Sequence, residues 1–248
     1  MSENTQALSL KQKSDSVASL LKSFEAQIQQ ALPRFLTAER MIRVALTAMG
    51  KNTLLLDCNH KSLISCLLTS AQLGLLPDGV LGEAYLIPFK NTKRQTIDCT
   101  FIVGYRGYIM LAQRSGLVQS ISARAVFKGD TFEYEFGLDE KLRHIPSGNK
   151  NPNEISHFYA VVKLKNGGVQ WVVMLREEVD AVRDNSANYK FARNKADTIW
   201  HNYYEEMGCK TVTRKLMKYV PLSSEINMAV GIDEQSDLGI QNTKVTLL

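Results

Sequence analysis

The stretch "SHFYAVVKLKNGGVQWVVML", residues 156–175, decides the fold class. Two runs rich in β-branched and aromatic residues flank Asn166-Gly167-Gly168, and these turn residues accept the backbone conformations of a tight reversal. The stretch therefore predicts a β-hairpin. Two more alternating segments, "EAYLIPF" at 83–89 and "QTIDCTFIV" at 95–103, predict a second hairpin, with Lys90, Lys93 and Arg94 at its tip.

The rest of the chain adds helices on both sides of these strands. Apolar residues at helical spacing predict helices over 17–32, 37–49 and 62–73, each ended by Pro or Gly. Residues 118–137 predict two strands about a Lys128-Gly129-Asp130 turn, 137–155 a loop, and 176–221 further helix. Because strands and helices are segregated along the chain, we predict an α+β fold. N-terminal helices precede an antiparallel β-hairpin core, and a long basic helix follows it.

Charge divides the 248 residues unevenly. The net charge is +5, but residues 221–248 alone carry −3, so the remainder carries +8. A basic body with an acidic tail favours an anionic partner. We predict a flexible N-terminus at 1–16, one functional domain at 17–221 and an acidic flexible tail at 222–248.

Several classes of protein lack support in the sequence. The four cysteines have no CxxC spacing and the four histidines are scattered, so no zinc site is predicted. Neither an apolar signal region nor a run of 18 apolar residues occurs, which predicts a cytoplasmic protein without a membrane anchor. A P-loop and a Gly-x-Ser-x-Gly elbow are also missing.

The segment "MGCKTVTRKLMKYVP", residues 207–221, points to the nature of the partner. It carries four cations without an acid: Lys210, Arg214, Lys215 and Lys218. On a helix these cations and Thr211 fall opposite the apolar residues. Like charges four residues apart repel, so a phosphate backbone against this side would stabilise the helix. A merely solvated side is the alternative.

Basic residues also alternate with aromatic ones elsewhere, which is typical of grooves that bind single strands. The groups are Tyr105 with Arg106 in "GYRG", Arg124 with Lys128 around "RAVFK", and Arg193 with Lys195 between Phe191 and Trp200. Glu83 and Asp98, on paired strands, could instead hold Mg²⁺ as a nuclease would. A chaperone for RNA and a structural oligomer that binds an acidic protein are further alternatives.

Five segments together resemble the RecT family of phage single-strand annealing proteins over about residues 37–225. They are "EAYLIPF", "CTFIVGYRGYIMLAQRSG", "RAVFKGDTFEYEFG", "ISHFYAVVKLKNGG" and "EEMGCKTVTRKLMKYVPLS". The resemblance implies a fold similar to the core of the eukaryotic Rad-family annealing protein. It also implies a homologous-recombination protein that binds single-stranded DNA and anneals complementary strands without ATP and without bond chemistry.

The resemblance further implies partners and residue roles. Partners would be single-stranded DNA and the annealed duplex, further copies in rings or helical filaments, a phage 5′–3′ exonuclease and the host single-strand binding protein. No cofactor is expected, although Mg²⁺ would modulate activity. Matched to the family's motifs, Lys210, Thr211, Arg214, Lys215 and Lys218 would hold the DNA backbone. Tyr105 and Arg106 would contact backbone or base. Gly208 departs from the alanine that the resemblance leads us to expect after "EM", so the basic helix would start or bend there.

Overall fold

A computed structural model of the chain describes residues 9–91, 94–220 and 224–239. Contacts divide these residues into two compact units. The first contains the described residues up to Gly107 together with Gly231–Ser236, and the second contains the described residues of Tyr108–Val230 together with Asp237–Gly239. No helix in these ranges has the length and apolar character needed to cross a membrane.

The first unit combines four helices with one hairpin. The helices are α1 (Leu10–Ser23), α2 (Glu25–Ala31), α3 (Ala38–Lys51) and α4 (His60–Leu73), and the strands are β1 (Ala84–Asn91) and β2 (Thr96–Val103). Helix α4 packs on β2, where the Ser62 hydroxyl accepts a hydrogen bond from the Cys99 N–H at 2.8 Å. Gly74 ends α4 at a φ of +61°, a conformation that favours glycine.

The hairpin predicted at 83–103 is confirmed. Strands β1 and β2 are antiparallel, with Ala84 opposite Val103 and Asn91 opposite Thr96 near the tip. Lys93 of the predicted tip lies outside the described residues. Helix α5 (Tyr105–Arg114) follows β2 directly.

The second unit is built on a three-stranded antiparallel sheet. Its strands are β3 (Val118–Phe127), β6 (Ile155–Leu164) and β7 (Val169–Leu175), in the order β3-β6-β7. The hairpin predicted from 156–175 is the β6–β7 pair, with Val161 opposite Trp171. A separate hairpin pairs β4 (Thr131–Glu135) with β5 (Lys141–Ile145).

Helices follow the sheet. They are α6 (Arg176–Asn185), α7 (Ala187–Lys190), α8 (Ile199–Asn202), α9 (Tyr204–Met217) and α10 (Ser224–Asp237). The predicted α+β class, with antiparallel strands between two groups of helices, is confirmed.

Three predicted boundaries were wrong. The first helix begins at Leu10 rather than near residue 17, because Ser9 and Gln12 form a capping box. The predicted loop at 137–155 contains β5, whose hydrophobic alternation is weak because its inward residues are only half-buried. Helix α10 occupies part of the predicted tail and buries Ile226, Ala229 and Val230. The flexibility expected at 1–16 and 222–248 stays a prediction.

Candidate nucleic-acid interface

Helix α9 is buried on more sides than its sequence predicts. Its C-terminal half includes the cationic residues, yet Thr211, Thr213 and Arg214 are as buried as the apolar Val212 and Leu216. The sheet and α6 both pack against the helix. Because Thr211 and Arg214 are buried, the predicted separation into an apolar and a cationic side was wrong at these two residues.

Two of the five predicted residues on this helix are directed inward. The Thr211 hydroxyl donates a 2.8 Å hydrogen bond to the Met207 carbonyl within α9. The Arg214 side chain is only 11% exposed, and its guanidinium forms an ion pair with Asp237 at the end of α10. An acid of the predicted tail therefore takes the position next to Arg214 that we had predicted for a phosphate.

The three lysines are more accessible. Lys210 is half-buried, and Lys218, immediately after α9, is exposed. The Lys215 ammonium lies 3.2 Å from Glu178 of α6, and its side chain is 36% exposed. Since such a pair near the surface is weak, a phosphate could compete with Glu178 for Lys215.

Gly208 lies inside α9, so the helix does not start at this residue, and the predicted bend stays a prediction. A Cβ at this position would lie 2.3 Å from Cε1 and Cζ of Phe158, which is fully buried on β6. The absence of a side chain lets α9 approach the sheet closely, and this approach fixes where the three lysines lie.

Arg124 lies on β3, Lys128 lies in the turn that follows this strand, and both are exposed. Arg124 is opposite Tyr159 in the β3–β6 register, and Lys128 follows β3 in the turn before β4. Burial raises the pKa of Cys209 on α9 to about 12, and the nearby Arg124 charge opposes that rise. Arg124 and Tyr159 are directly opposite each other, so they point to the same side of the sheet, and the electrostatic effect of Arg124 on Cys209 does not place Arg124 beside Lys210.

Arg193 and Lys195 lie on the connection between α7 and α8 and are exposed. The Lys195 ammonium donates hydrogen bonds to the carbonyls of Tyr189 and Lys190 and lies 4.7 Å from the centre of the Tyr189 ring. These contacts tie Lys195 to its own loop. Trp200 is buried beside Tyr204, which indicates packing.

Tyr105 and Arg106 form the first turn of α5 and belong to the first unit, whereas the other candidates belong to the second. Arg106 is exposed and Tyr105 is half-buried. The glycines of the "GYRG" motif serve the chain's own packing. A Cβ at Gly104 would lie 2.0 Å from the Gly82 carbonyl oxygen, and one at Gly107 would lie 2.1 Å from that of Glu83.

An open groove beside strand β7 was missed by the sequence analysis. It has a volume of about 350 Å³ and contains Phe136, Trp171, Lys215 and Tyr219 among its lining residues. The signal in the sequence was "TFEYEF", where aromatic residues alternate at 132, 134 and 136 and so point to one side.

The two carboxylates proposed for a nuclease are far apart. Asp98 is opposite Phe89 in the hairpin, whereas the carbonyl of Glu83 pairs with the N–H of Gly104. Six residues of strand, about 20 Å, therefore separate the two positions. Each carboxylate also has a local partner: Glu83 accepts from the Leu76 N–H, and Asp98 accepts from Asn91. Within the described residues, no group of three or more His, Cys, Asp or Glu could hold a metal.

Comparisons with known proteins identify relatives along most of the chain. The model of the RecT family matches residues 39–246, a range that includes every candidate contact residue described above. The chain is 45% identical over 228 residues to Protein RecT of Escherichia coli strain K12, which covers 91% of this chain and 82% of that protein. It is 26% identical over 213 residues to the uncharacterized protein YqaK of Bacillus subtilis strain 168, with 86% and 68% covered.

Proposed function

The chain belongs to the RecT family, and from that premise we propose that it binds single-stranded DNA and anneals complementary strands without ATP. The match to the family over residues 39–246 is the observation that carries the proposal. The exposed cations of the second unit supply a physical basis, because Lys and Arg bind phosphates independently of sequence. Lys218, Arg124 and Lys128 are among these exposed cations, and the half-buried Lys215 is a further candidate.

Annealing by this chain requires no bond chemistry. Contacts to phosphate would hold a strand in an extended form and leave its base edges available to a second strand. Cations beside both backbones would also lower the repulsion between the two strands. We further propose that copies assemble into a ring or filament, so that a weak first pairing is retained while neighbouring bases pair.

The biological setting follows from the same premise. We propose that the protein acts in homologous recombination in the cytoplasm of a bacterial or prophage host cell, beside a 5′–3′ exonuclease that supplies single strands. The host single-strand binding protein is a second proposed partner. We propose no cofactor. The candidate interface consists of dispersed cations, so Mg²⁺ would act on the phosphates of the DNA rather than on the protein.

The deciding experiment mixes two complementary oligonucleotides, one of them labelled, with and without the protein and without ATP. We expect the protein to accelerate duplex formation for the complementary pair only, and both strands to remain intact. A non-complementary pair is the control, and an RNA pair of the same sequence tests preference for DNA. Absence of acceleration, or shortened strands, would contradict the proposal.

A further inference from the structure

Aromatic rings form a continuous series between the β4–β5 hairpin and the sheet. Phe132 stacks on Tyr159 with ring centres 5.6 Å apart, and Tyr134 meets Trp171 edge-on at 6.3 Å. Phe136 stacks on Trp171 at 4.8 Å with an angle of 16° between the rings. Since Phe158 of β6 faces α9 and its neighbour Tyr159 faces Phe132, the series covers the side of the sheet opposite α9.

The series ends in the open. Phe136 is 61% exposed although one face of its ring lies on Trp171 and Tyr134 approaches it edge-on. Covering the exposed face of this ring with an apolar or aromatic group would be favourable, because it removes apolar surface from water. Phe136 and Trp171 both line the 350 Å³ groove beside β7, so the exposed end of the series faces a space of the size that small ligands occupy.

A cation from the candidate DNA-binding helix reaches the same groove. Lys215 of α9 and the exposed Tyr219 line it, together with Glu140. One of the three N–H bonds of the Lys215 ammonium is directed at Glu178, 3.2 Å away. The lining of the groove thus includes a flat aromatic surface, a cation and a second exposed ring. The acid among the lining residues, Glu140, disfavours a phosphate on its side of the groove.

We propose that this groove binds one base of the single strand, stacked on Phe136 as the next ring of the series, with the adjacent phosphate at Lys215. The proposal rests on the proposed DNA binding and deepens it by assigning a base-stacking site. Stacking on aromatic side chains tolerates every base, because each base has a flat π-face, so the site would suit binding without sequence preference.

A strand from a second copy is the competing occupant, because β7 is the edge of its sheet. Strand addition would use the main-chain groups of β7 and would need neither a stacked pair of rings nor a cation. The stacked Phe136–Trp171 pair with Lys215 beside it therefore favours a nucleotide.

The test compares two oligonucleotides of equal length, oligo-dT and a fully abasic strand, which share phosphates and differ in bases. We expect Phe136→Ala to weaken oligo-dT binding about five-fold or more while leaving the abasic strand unaffected. Leu138→Ala is the matched control, because Leu138 is fully exposed two residues further along the same loop. It should bind both strands as the wild type does.

Tryptophan fluorescence reports directly on the groove. The chain has two tryptophans, Trp171 in the groove and the buried Trp200. We expect oligo-dT, but not the abasic strand, to quench emission, and Trp171→Phe to abolish that quenching while Trp200 still reports a folded protein.

Three results would overturn the inference. The first is equal loss of affinity for both strands in Phe136→Ala, and the second is no loss for either. The third is a change of oligomeric state in Phe136→Ala without DNA, while the ratio of the affinities for oligo-dT and the abasic strand stays that of the wild type. This result would assign the groove to a second copy. Failure of the wild type to bind either strand would instead contradict the proposed function itself.

Discussion

Gly208 shows how one missing side chain positions the helix that carries Lys210, Arg214 and Lys215. Alanine favours a helix over glycine by about 1 kcal/mol. At Gly208 this gain is opposed, because the new Cβ would overlap the ring of Phe158, which is fully buried. We predict that Gly208→Ala lowers the free energy of unfolding by about 1–3 kcal/mol, the usual cost of overpacking a core. Urea denaturation would measure it.

Gly50 provides the matched control for that substitution. It lies within α3, and a Cβ placed on it would meet nothing within 4 Å. Gly50→Ala should therefore raise the free energy of unfolding by about 0.5–1 kcal/mol. If both substitutions raise the free energy of unfolding by the same amount, then Phe158 moves aside easily and the close approach of α9 to β6 is unimportant.

The cations of the basic helix divide into two groups with different expected effects. Arg214 is buried against Asp237, whereas Lys215 and Lys218 are more exposed. We predict that Arg214→Ala lowers the free energy of unfolding by about 1–3 kcal/mol, because a partly buried carboxylate loses its partner. Lys215→Ala and Lys218→Ala should leave stability nearly unchanged and weaken DNA binding.

Salt dependence separates a lost phosphate contact from a damaged fold. Each lysine that holds a phosphate of a single strand should, when replaced, reduce the slope of log K against log salt by about 0.7. Lys51→Ala, an exposed lysine at the end of α3, is the control and should keep the slope of the wild type. Unchanged slopes for Lys215→Ala and Lys218→Ala, in folded protein, would remove both from the interface.

At the scale of the element, the β4–β5 hairpin is attached to the sheet through Asp130. This carboxylate accepts hydrogen bonds from the N–H of Phe127, from the N–H and hydroxyl of Ser147, and from His144 Nε2 at 2.9 Å. His144 Nδ1 lies 3.1 Å from the Tyr159 hydroxyl on β6. Burial alone would raise the pKa of Asp130, but these hydrogen bonds hold it well below its usual value of 3.8.

The lowered pKa makes the hairpin sensitive to acid. Because the pKa of Asp130 is lower in the folded state, its ionisation stabilises the fold above about pH 4 and ceases to do so as the pH falls through the folded-state value. We predict that Asp130→Asn lowers the free energy of unfolding by about 1–3 kcal/mol at pH 7. The difference from the wild type should narrow below about pH 4, as chemical denaturation over a pH series would measure.

The exposed Asp139, between β4 and β5, is the control for that series. The free energy of unfolding of Asp139→Asn should equal that of the wild type throughout the series. If the free energy of unfolding of Asp130→Asn differs from that of the wild type by the same amount at every pH, then the charge of Asp130 does not contribute to stability, and only the shape of its side chain does.

Elements were predictable from the sequence where separate local signals agreed. The β6–β7 hairpin combined strand propensity with an Asn-Gly-Gly turn, and both signals agree with its position in the sheet. Strand β5 was missed because each of its residues is at most half-buried, so it carries little hydrophobic pattern. The burial of Arg214 was not predictable, because its partner Asp237 is 23 residues away and local periodicity carries no information about such a contact.

At the scale of the whole molecule, the net charge of +5 favours DNA binding but does not say how many copies bind together. Annealing over long strands requires that pairing begun at one protomer is retained by its neighbours. If copies assemble on the strand, each added copy gains contacts with DNA and with its neighbour. If single copies bind independently, a longer strand merely offers more equal sites.

The two cases differ in how affinity depends on the length of the strand. We predict that the dissociation constant per site for oligo-dT falls steeply once a strand can hold two or more copies, because the second copy binds next to the first at a high effective concentration. Fluorescence anisotropy over a series of lengths at constant salt would measure this, with sedimentation of the same complexes giving the number of copies bound. A dissociation constant per site that stays flat with length would contradict assembly on the strand, yet single-strand binding by each copy would still stand.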